Sequence, residues 1–451
     1  MKYSLTVTNE HSQTVYIPKE IFKPSMEQIF FGTISCACSI QSHSYNDHEV
    51  IMSKDVYEQL HIPRCSKVHL FTDEERIYVG PLIGIFTAGF TESNLRPIGN
   101  RSLFFAKLLA VEEAIGAYAY VFGAHHICWE KGLVTGHFYT DAGWKQIEVP
   151  LPNVVYDRLP NRKTENQHYF KHIKERLQRE YSIPWYNPGF FNKWSIHEQL
   201  ITDHSISHFL PETERYADLS QLNDLLKKYR HVYLKPINGS LGYGVFQLFY
   251  VEDEKCYYCR YRDKFTKNRL QKFPNLESMI NHLFKQNQLQ QYIVQQGISL
   301  LRIDGRTVDF RIHTNKNREG NWQVSVIAAK IAGKGSATTH LKNGGMVKTI
   351  EEVFTDEEQR ADIIDRLTDA VISLSKSIEI RTVGLIGEIG FDIGIDKELN
   401  IWLFEANSKP GRAIFNHPKL HEYDLLSRKL SMLFAIYLTE KSILEPEVIF
   451  Q

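Results

Sequence analysis

The sequence predicts a mixed α/β (α+β) protein of several subdomains, and three features lead to this fold class. Runs rich in β-branched and aromatic residues alternate with segments whose apolar residues recur at helical spacing. A glycine-rich turn, NGSLGYG, joins two strand-like segments near the middle of the chain. A later pair of apolar strands carries carboxylates where aliphatic side chains are expected. The 451 residues suffice for about two to four subdomains, each with its own core.

The composition is that of a globular protein without a strong charge preference. Hydrophobic residues make up 43% of the chain, and 53 Lys and Arg balance 53 Asp and Glu. This balance argues against a nucleic-acid partner, because proteins that bind nucleic acids usually have a basic excess. No apolar run approaches the roughly 18 residues of a membrane span, and the segment MKYSLTVTNE does not predict a signal peptide. We therefore expect a cytoplasmic protein with no membrane partner.

The order of the elements predicts four segments. Residues 1–78 read as a β-rich accessory domain, with the strand-like runs TVYIP, IFFGTISCACSI and KVHLF. Residues 79–190 begin with the buried-strand pattern GPLIGIF and then alternate strands with helices, which predicts a parallel sheet covered by helices. Residues 191–296 contain the glycine-rich turn, and residues 297–451 contain the carboxylate-bearing strands.

Two cysteine pairs allow a structural metal site as an alternative. Six cysteines in so long a chain indicate a reducing compartment rather than a disulfide framework. Cys36 with Cys38 and Cys256 with Cys259 offer four thiolates, but both pairs lie in β-like stretches without a neighbouring histidine. Strand cysteines are therefore the favoured interpretation over a zinc site.

The glycine-rich turn has the properties of a phosphate-binding loop. In YLKPINGSLGYGV, Lys235 is followed by Gly239, Gly242 and Gly244, which allow the backbone N–H groups to approach an anion closely. No Gly-Lys-Ser/Thr follows, so the segment is not a Walker A loop. Antiparallel strands flank it, so we expect a hairpin lid over a polyphosphate; a purely structural hairpin is the alternative.

A second basic candidate lies at the start of a predicted helix. Asn192 is the expected N-cap, which places Lys193 in the first helical turn. A cation at that position opposes the helix dipole, and this small cost is compatible with phosphate binding. The local sequence alone favours the alternative of an ordinary surface lysine.

The carboxylates lie in GEIGFDIGIDKELNIWLFEANSKPG, which reads as two neighbouring strands joined by a turn at residues 397–400. Period-two alternation allows Asp392 on the first strand to converge with Glu405 and Asn407 on the second. Buried carboxylates need a compensating cation, and hard oxygen ligands suit Mg²⁺. Basic side chains from a neighbouring strand are the alternative; this spacing favours magnesium.

Together these pieces resemble the ATP-grasp superfamily, and most of the chain is similar to its YheC/YheD endospore coat-associated family. The similar pieces run from about residue 80 to 415 in the family's order: GPLIGIFT, LPNVVYDR, FFNKWSIHEQL, FLPET, YLKPINGSLGYGV, QQGI, DFRIHTN, VIAAKIA, THLKNGG, GEIGFDIGID and LFEANSKPG. The resemblance implies an ATP-grasp fold with a pre-ATP-grasp domain at 79–190. It also implies a small ATP-grasp subdomain at 191–296 and a C-terminal subdomain with the magnesium site at 297–451.

The resemblance implies roles for individual residues. Lys193 and Lys235 match the two lysines that bind the nucleotide phosphates. The loop that covers the phosphates matches Gly239, Ser240, Gly242 and Gly244. The hinge that contacts adenine matches Gln295, Gln296 and Ile298. Asp392, Glu405 and Asn407 match the ligands of two Mg²⁺ ions.

The residues around the reacting phosphoryl group follow in the same way. Arg311 and Lys330 match basic positions that face it, and Asn343 and His340 lie in a loop near the γ-phosphate and the acceptor. Gly390 stands where some ATP-grasp ligases carry an arginine, so Arg311 is expected to serve instead. For the acceptor pocket, the hypothesis includes Asp157, Arg158, Arg306, the 336–345 loop and Arg412.

The implied activity is an ATP-dependent ligase that forms an amide or peptide bond. A substrate carboxylate would attack the γ-phosphate, and an amine or another nucleophile would then attack the acyl phosphate. The alternatives are a non-catalytic ATP-binding protein of the spore coat and a kinase acting on a small molecule. The expected partners are a small-molecule or peptide substrate, with spore-coat or homo-oligomer contacts and a spore association as further alternatives.

Overall fold

The computed structural model describes residues 1–44, 46–239, 242–285 and 288–450, apart from the side chain of Lys342. Within these residues the strands form four sheets that follow one another along the chain. Helices pack on the later three sheets, so the predicted mixed α/β class is confirmed. No helix in the described ranges is long and apolar enough to cross a membrane.

Among the described residues, the first sheet has eight strands. Its elements are β1 (Tyr3–Thr8), β2 (Thr14–Pro18), β3 (Gln28–Phe31), β4 (Ile34–Ala37), β5 (Ser39–His43), β6 (Glu49–Ser53), α1 (Lys54–Gln59), β7 (Lys67–Thr72) and β8 (Arg76–Gly80). The strand order is β4-β3-β8-β7-β1-β6-β2-β5. Only Cys38 separates β4 from β5, the two outermost strands, so the two edges of the sheet lie next to each other.

The second sheet has the parallel centre that the alternation of strands and helices predicts. Its elements are β9 (Leu82–Phe86), α2 (Ser102–Leu109), α3 (Glu112–Ile115), β10 (Tyr118–Phe122), β11 (Ile127–Cys128), β12 (Leu133–Thr140), β13 (Gly143–Pro150), β14 (Val154–Asp157), α4 (Arg162–Glu165), α5 (His168–Tyr181) and β15 (Trp185–Tyr186). Strands β10, β9, β14 and β15 are parallel, and the hairpin β12–β13 extends one edge. Every residue of β9 and β10 is buried, which explains their continuous apolar sequence.

The third sheet is antiparallel and carries the glycine-rich turn. Its elements are α6 (Lys193–Ile201), β16 (Thr213–Arg215), α7 (Leu219–Tyr229), β17 (His231–Pro236), β18 (Phe246–Val251), β19 (Cys256–Arg262), β20 (Asn268–Phe273), α8 (Leu276–Leu283) and β21 (Tyr292–Gln296). The strand order is β16-β21-β17-β18-β19-β20. The turn connects β17 with its antiparallel neighbour β18, as the sequence predicts. Helices α7 and α8 bury one face of the sheet.

The fourth sheet carries the predicted carboxylates. Its elements are β22 (Arg302–Ile303), β23 (Arg306–Lys316), β24 (Trp322–Ile331), β25 (Met346–Thr349), α9 (Glu357–Arg381), β26 (Glu388–Ile395), β27 (Ile401–Asn407), α10 (His421–Leu444) and α11 (Pro446–Ile449). The antiparallel order is β25-β24-β23-β26-β27, with β22 paired to β23. Helix α9 packs Ile363, Leu367 and Val371 against the aliphatic face of the sheet. On the opposite face, β23, β24 and β26 carry the charged side chains of Arg311, Lys330 and Asp392.

Helix α10 joins the second and fourth sheets. Its Phe434 and Ile436 are buried in the same core as Ile83 of β9. The hydroxyl of Tyr186 on β15 donates to the carbonyl of Ser431 at 3.0 Å. The carboxyl end of the parallel sheet is therefore held close to the strands that carry the carboxylates.

Candidate active site

The hairpin β26–β27 brings the three predicted metal ligands together. Asp392 and Glu405 are direct cross-strand partners, and Asn407 lies opposite Gly390. With its amide nitrogen turned toward Glu405, Asn407 donates to Glu405 Oε1 at 3.1 Å. Its amide oxygen then accepts from Arg311 Nη1, also at 3.1 Å. The three side chains form one oxygen-rich surface, which we call the acidic floor.

Basic side chains from three other elements neutralise the acidic floor. Lys330 Nζ on β24 lies 2.7 Å from Asp392 Oδ1, and Arg311 Nε on β23 lies 3.5 Å from the same oxygen. Lys193 Nζ, at the start of α6, lies 2.5 Å from Glu405 Oε1. Burial opposes ionisation of Asp392, but the charges of Arg311 and Lys330 outweigh it and hold its pKa below the usual range. The basic partners that the sequence offered as an alternative to a metal are therefore present.

Asp309 is a member of this cluster that the sequence analysis missed. It pairs with Lys330 across β23 and β24, and Lys330 Nζ lies 3.1 Å from its Oδ1. The hydroxyl of Thr339 donates to Asp309 Oδ2 at 2.5 Å, which ties the 336–345 loop to the cluster. Burial raises the pKa of Asp309, and the charge of Lys330 opposes this rise. The sequence did contain a signal for this residue: Asp309 stands two positions before Arg311, so both side chains lie on the same face of the strand.

Lys235 faces the acidic floor from the third sheet. Its Nζ donates to Gln295 Oε1 at 2.5 Å and lies 5.4 Å from the ring centre of Phe404, the neighbour of Glu405. Burial and the charge of Lys193 lower the pKa of Lys235 from 10.5 to about 8. A lysine held in such an unfavourable position is typical of a binding site for an anion.

The glycine-rich turn reaches the 336–345 loop. Gly242 and Gly244 have φ angles of 70° and 72°, a region that side chains rarely adopt. A Cβ at Gly242 would lie 3.2 Å from Thr338 Oγ1 and 3.4 Å from Asn343 Nδ2. Arg262, on β19 of the third sheet, donates to Asn343 Oδ1. The third and fourth sheets therefore meet on this side of the cleft as well.

Other nucleotide candidates occupy the edges of the cleft. Gly239 packs closely on Pro236, and Ser240 lies outside the described residues. The side chains of the two hinge glutamines have protein partners: Gln295 Nε2 donates to Thr213 Oγ1 at 3.0 Å, and Gln296 Oε1 accepts from the Glu212 N–H at 3.1 Å. Ile298 is 9% exposed. The contacts of these residues with adenine stay predictions.

Helix α6 begins where the sequence predicts. The side chain of Asn192 accepts from the N–H groups of Trp194 and Ser195, both at 3.0 Å. Its amide nitrogen donates to Asn238 Oδ1 in the glycine-rich turn at 2.9 Å. The cap residue therefore positions Lys193 and the turn relative to each other.

Asn187 is a second residue that the sequence analysis missed. Its side chain hydrogen-bonds to backbone groups where β26 begins and β27 ends. Its amide nitrogen donates to the carbonyls of Glu388 and Ser408 at 2.8 and 2.6 Å. Its amide oxygen accepts from the N–H groups of Gly387 and Glu388 at 2.9 and 3.2 Å. Its φ of 54° is one that asparagine tolerates better than most residues.

The candidate acceptor residues are distributed between two places. Arg158 Nη1 and Arg412 Nη1 lie 3.0 and 3.5 Å from the two carboxylate oxygens of the buried Glu388. Asp157 is adjacent in sequence, but it is held by Lys409 at 2.6 Å. Arg306 lies at the start of β23, beside Met346 at the end of the 336–345 loop.

The donors of the acidic floor suit a magnesium ion that is shared with a ligand. In the described part of the chain no group of three or more His, Cys, Asp or Glu side chains could hold a metal ion. The floor instead offers two carboxylates and one amide oxygen, the partial set with which Mg²⁺ is commonly bound together with phosphates. The two cysteine pairs lie in the first and third sheets, so they do not form one site.

Two antiparallel sheets that meet across a cleft, one with a glycine-rich turn and one with paired carboxylates, are the features of an ATP-grasp protein. Residues 182–438 match the family model described as YheC/D like ATP-grasp, and the chain belongs to this family. The family resemblance found in the sequence is therefore confirmed.

The similar proteins cover most of the chain. It is 41% identical over 449 residues to the endospore coat-associated protein YheD of Bacillus subtilis (strain 168), covering 100% of this chain and 99% of YheD. It is 28% identical over 273 residues to YheC of the same strain, covering 60% of this chain and 73% of YheC. Among solved structures, D-alanine–D-alanine ligase from Bacillus anthracis complexed with ATP shares 14% identity at a TM-score of 0.43, covering 79% of this chain and 98% of the ligase.

Proposed function

We propose that the chain is an ATP- and Mg²⁺-dependent ligase that joins a carboxylate to an amine or another nucleophile through an acyl phosphate. The observation that carries this proposal is the arrangement around the acidic floor. Asp392 and Glu405 lie in cross-strand register, and Lys193, Arg311 and Lys330 contact their carboxylates. Such a set suits phosphoryl transfer, which depends mainly on positioning and charge neutralisation.

The nucleotide phosphates would occupy the space between Lys235 and the acidic floor. Lys193 and Lys235 would bind phosphate oxygens, and the backbone N–H groups of the glycine-rich turn would cover them. Asp392, Glu405 and Asn407 would hold two Mg²⁺ ions, which supply positive charge to the phosphates when bound. The low pKa of Lys235 fits this role, because the negative charge of a bound phosphate would stabilise the charged form of the lysine.

The chemistry would take place beside Arg311. A carboxylate oxygen of the substrate attacks the γ-phosphorus, and the bond to ADP breaks. Arg311 would stabilise the charge on the acyl phosphate. The nucleophile then attacks the acyl carbon, phosphate leaves, and the amine proton passes to solvent. Lys330 positions Asp392, while Asn343 and the turn would keep water away from the acyl phosphate.

Two other functions make different predictions. A spore-coat-associated protein that binds ATP without turnover fits the names of the relatives in Bacillus subtilis. It also fits the ion pairs of Lys193 and Lys330, which leave both carboxylates satisfied without a ligand. A kinase would share the nucleotide site and would transfer the γ-phosphoryl group to a stable hydroxyl instead.

The test is a screen for ADP release in the presence of Mg²⁺, with amino acids, short peptides and cell-wall precursors as substrates. The ligase predicts release of ADP and phosphate with a condensed product, identified by its mass, and loss of this release in Glu405→Gln. Glu358→Gln, an exposed position on α9, is the matched control. A phosphorylated product would indicate the kinase. Binding of ADP without turnover across the panel would indicate the binding protein.

A further inference from the structure

A basic cavity lies between the second sheet and the end of β27. It has a volume of about 240 Å³. None of its lining residues, all in the described part of the chain, is acidic. The charged and aromatic side chains that line it include Arg101, Phe104, Arg158, Phe190, Lys409 and Arg412. Four positive charges converge on a space that is large enough for a small anionic group.

The guanidinium groups at this cavity outnumber their carboxylate partners. Arg158 and Arg412 share Glu388. Arg412 also binds Asp424, at 2.7 Å, and Asp424 in turn pairs with Arg428. Three guanidinium groups therefore share two carboxylates, and Arg101 adds a fourth guanidinium to the same region. Buried charges without a counter-ion are costly, so the wall of the cavity favours an anionic ligand.

Arg101 carries the clearest unsatisfied charge. Its Nη1 donates to Thr87 Oγ1 at 2.9 Å and to the carbonyl of Arg158 at 3.3 Å, and its Nη2 donates to the carbonyl of Ala88. These acceptors are neutral, and Arg101 makes no ion pair with any carboxylate among the described residues. Burial and the charge of Arg158 lower its pKa. The neutral partners hold the guanidinium in place without neutralising it.

Lys409 differs from the arginines because its charge is already balanced. Its Nζ lies 2.6 Å from Asp157 Oδ1 and 3.1 Å from Glu165 Oε1. Lys409 Nζ also lies 4.7 Å from the ring centre of Phe190. The guanidinium carbon of Arg158 lies 5.0 Å from the ring centre of Phe104. The two aromatic rings give the cavity apolar walls between its charged groups.

The cavity adjoins the reacting centre through Gly390. A Cβ at Gly390 would lie 2.4 Å from Cβ of Pro410, which lines the cavity, and 3.4 Å from Arg311 Nη1. Gly390 also pairs with Asn407 of the acidic floor. The absence of a side chain at this position brings the wall of the cavity close to Arg311, so one small molecule could reach both.

We propose that this cavity binds a second, non-reacting anionic group of the substrate, held by Arg101, Arg158 and Arg412. The substrate class is then a small molecule with two oxyanions. One is the carboxylate that reacts beside Arg311, and the other, a carboxylate or a phosphate ester, anchors the molecule in the cavity. The assignment of the reacting end rests on the proposed ligase function; the anion site itself does not.

The test measures anion binding by calorimetry with the full chain, in chloride buffer without nucleotide or Mg²⁺. Glutarate and inorganic phosphate are the probes, and they distinguish a carboxylate anchor from a phosphate anchor. We expect one of them to bind saturably, Arg101→Met to weaken this binding at least tenfold, and Arg101→Lys to retain part of it. Arg96→Met, at an exposed position outside the cavity, is the matched control.

The outcome separates this proposal from the ligase. Binding that depends on Arg101 supports the anion site even if no substrate releases ADP. Absence of binding for both probes, or equal binding by wild type and Arg101→Met, overturns it even if ligase activity is found. Unchanged affinity of Arg101→Met for ADP shows that the variant is folded. If that variant does not fold, the same comparison is made with Arg101→Lys, and unchanged probe affinity overturns the proposal.

Discussion

Replacement of Lys235 by methionine should stabilise the protein and abolish tight nucleotide binding at the same time. In the absence of ligand, burial and the charge of Lys193 disfavour the charged form of Lys235 and lower its pKa from 10.5 to about 8. Methionine keeps the length of the side chain and removes the charge. A residue kept at a cost to stability is expected where function requires it.

The magnitude follows from the pKa. A fall from 10.5 to about 8 corresponds to about 3 kcal/mol of folding free energy lost while the lysine is charged in both states, below about pH 8. The lost hydrogen bond to Gln295 costs about 1 kcal/mol. Lys235→Met should therefore be more stable than wild type by about 2 kcal/mol near pH 7.

The pH dependence has a defined sign. Between pH 8 and 10.5 the unfolded state binds more protons at Lys235 than the folded state, so the wild-type stability rises with pH across this window. The variant lacks this rise, and its advantage should shrink as the pH approaches 10. Nucleotide affinity of the wild type should fall over the same window, because the lysine loses the charge that binds phosphate.

The assay is urea denaturation of both proteins at about pH 7 and 9.5, followed by calorimetric titration of ADP with Mg²⁺ near pH 7. Lys227→Met, at an exposed position on α7, is the matched control and should change neither quantity. A variant that is less stable than wild type near pH 7, or one that binds ADP as tightly, would refute the reasoning.

Three further variants test other parts of the site. Glu405→Gln should reduce Mg²⁺-dependent ATP turnover at least about a hundredfold with a nearly unchanged thermal midpoint, and retained turnover would remove this residue from the metal set. Asn187→Ala should lower the free energy of unfolding by about 4 kcal/mol in a urea titration, because it leaves buried backbone groups of the hairpin β26–β27 without partners; a loss below about 1 kcal/mol would contradict this. Gly242→Ala should weaken ADP binding several-fold, because its Cβ presses on the 336–345 loop. Gly132→Ala has the same backbone strain without neighbours, so equal effects of both on ADP affinity would argue against a role of that contact.

The parts of the site that the sequence predicts well are those set by local patterns. The hairpin that bears Asp392 and Glu405 follows from period-two alternation and a short turn, and the structure places these residues in cross-strand register. The glycine-rich turn and the cap at Asn192 are likewise local signals, and both occur where expected. In each case a few neighbouring residues determine the backbone.

The remaining parts depend on which distant elements meet. The contact of Lys193 with Glu405 is set by the packing of α6 against the fourth sheet, so the local sequence alone favoured a surface lysine. Asn187 has partners about 200 residues away in the chain. Arg101 is one of several arginines until the second sheet and the end of β27 form the cavity around it. Single-sequence periodicity holds no information about such contacts.

The central claim is that the glycine-rich turn and the acidic floor together hold a metal-bound nucleotide. A crystal structure of the protein with ADP and Mn²⁺, in which anomalous scattering locates the metal, tests it most directly. We predict an anomalous peak about 2.2 Å from the carboxylate oxygens of Asp392 and Glu405, with the phosphates between this peak and Lys235. Nucleotide bound elsewhere, or a metal away from both carboxylates, would contradict the claim.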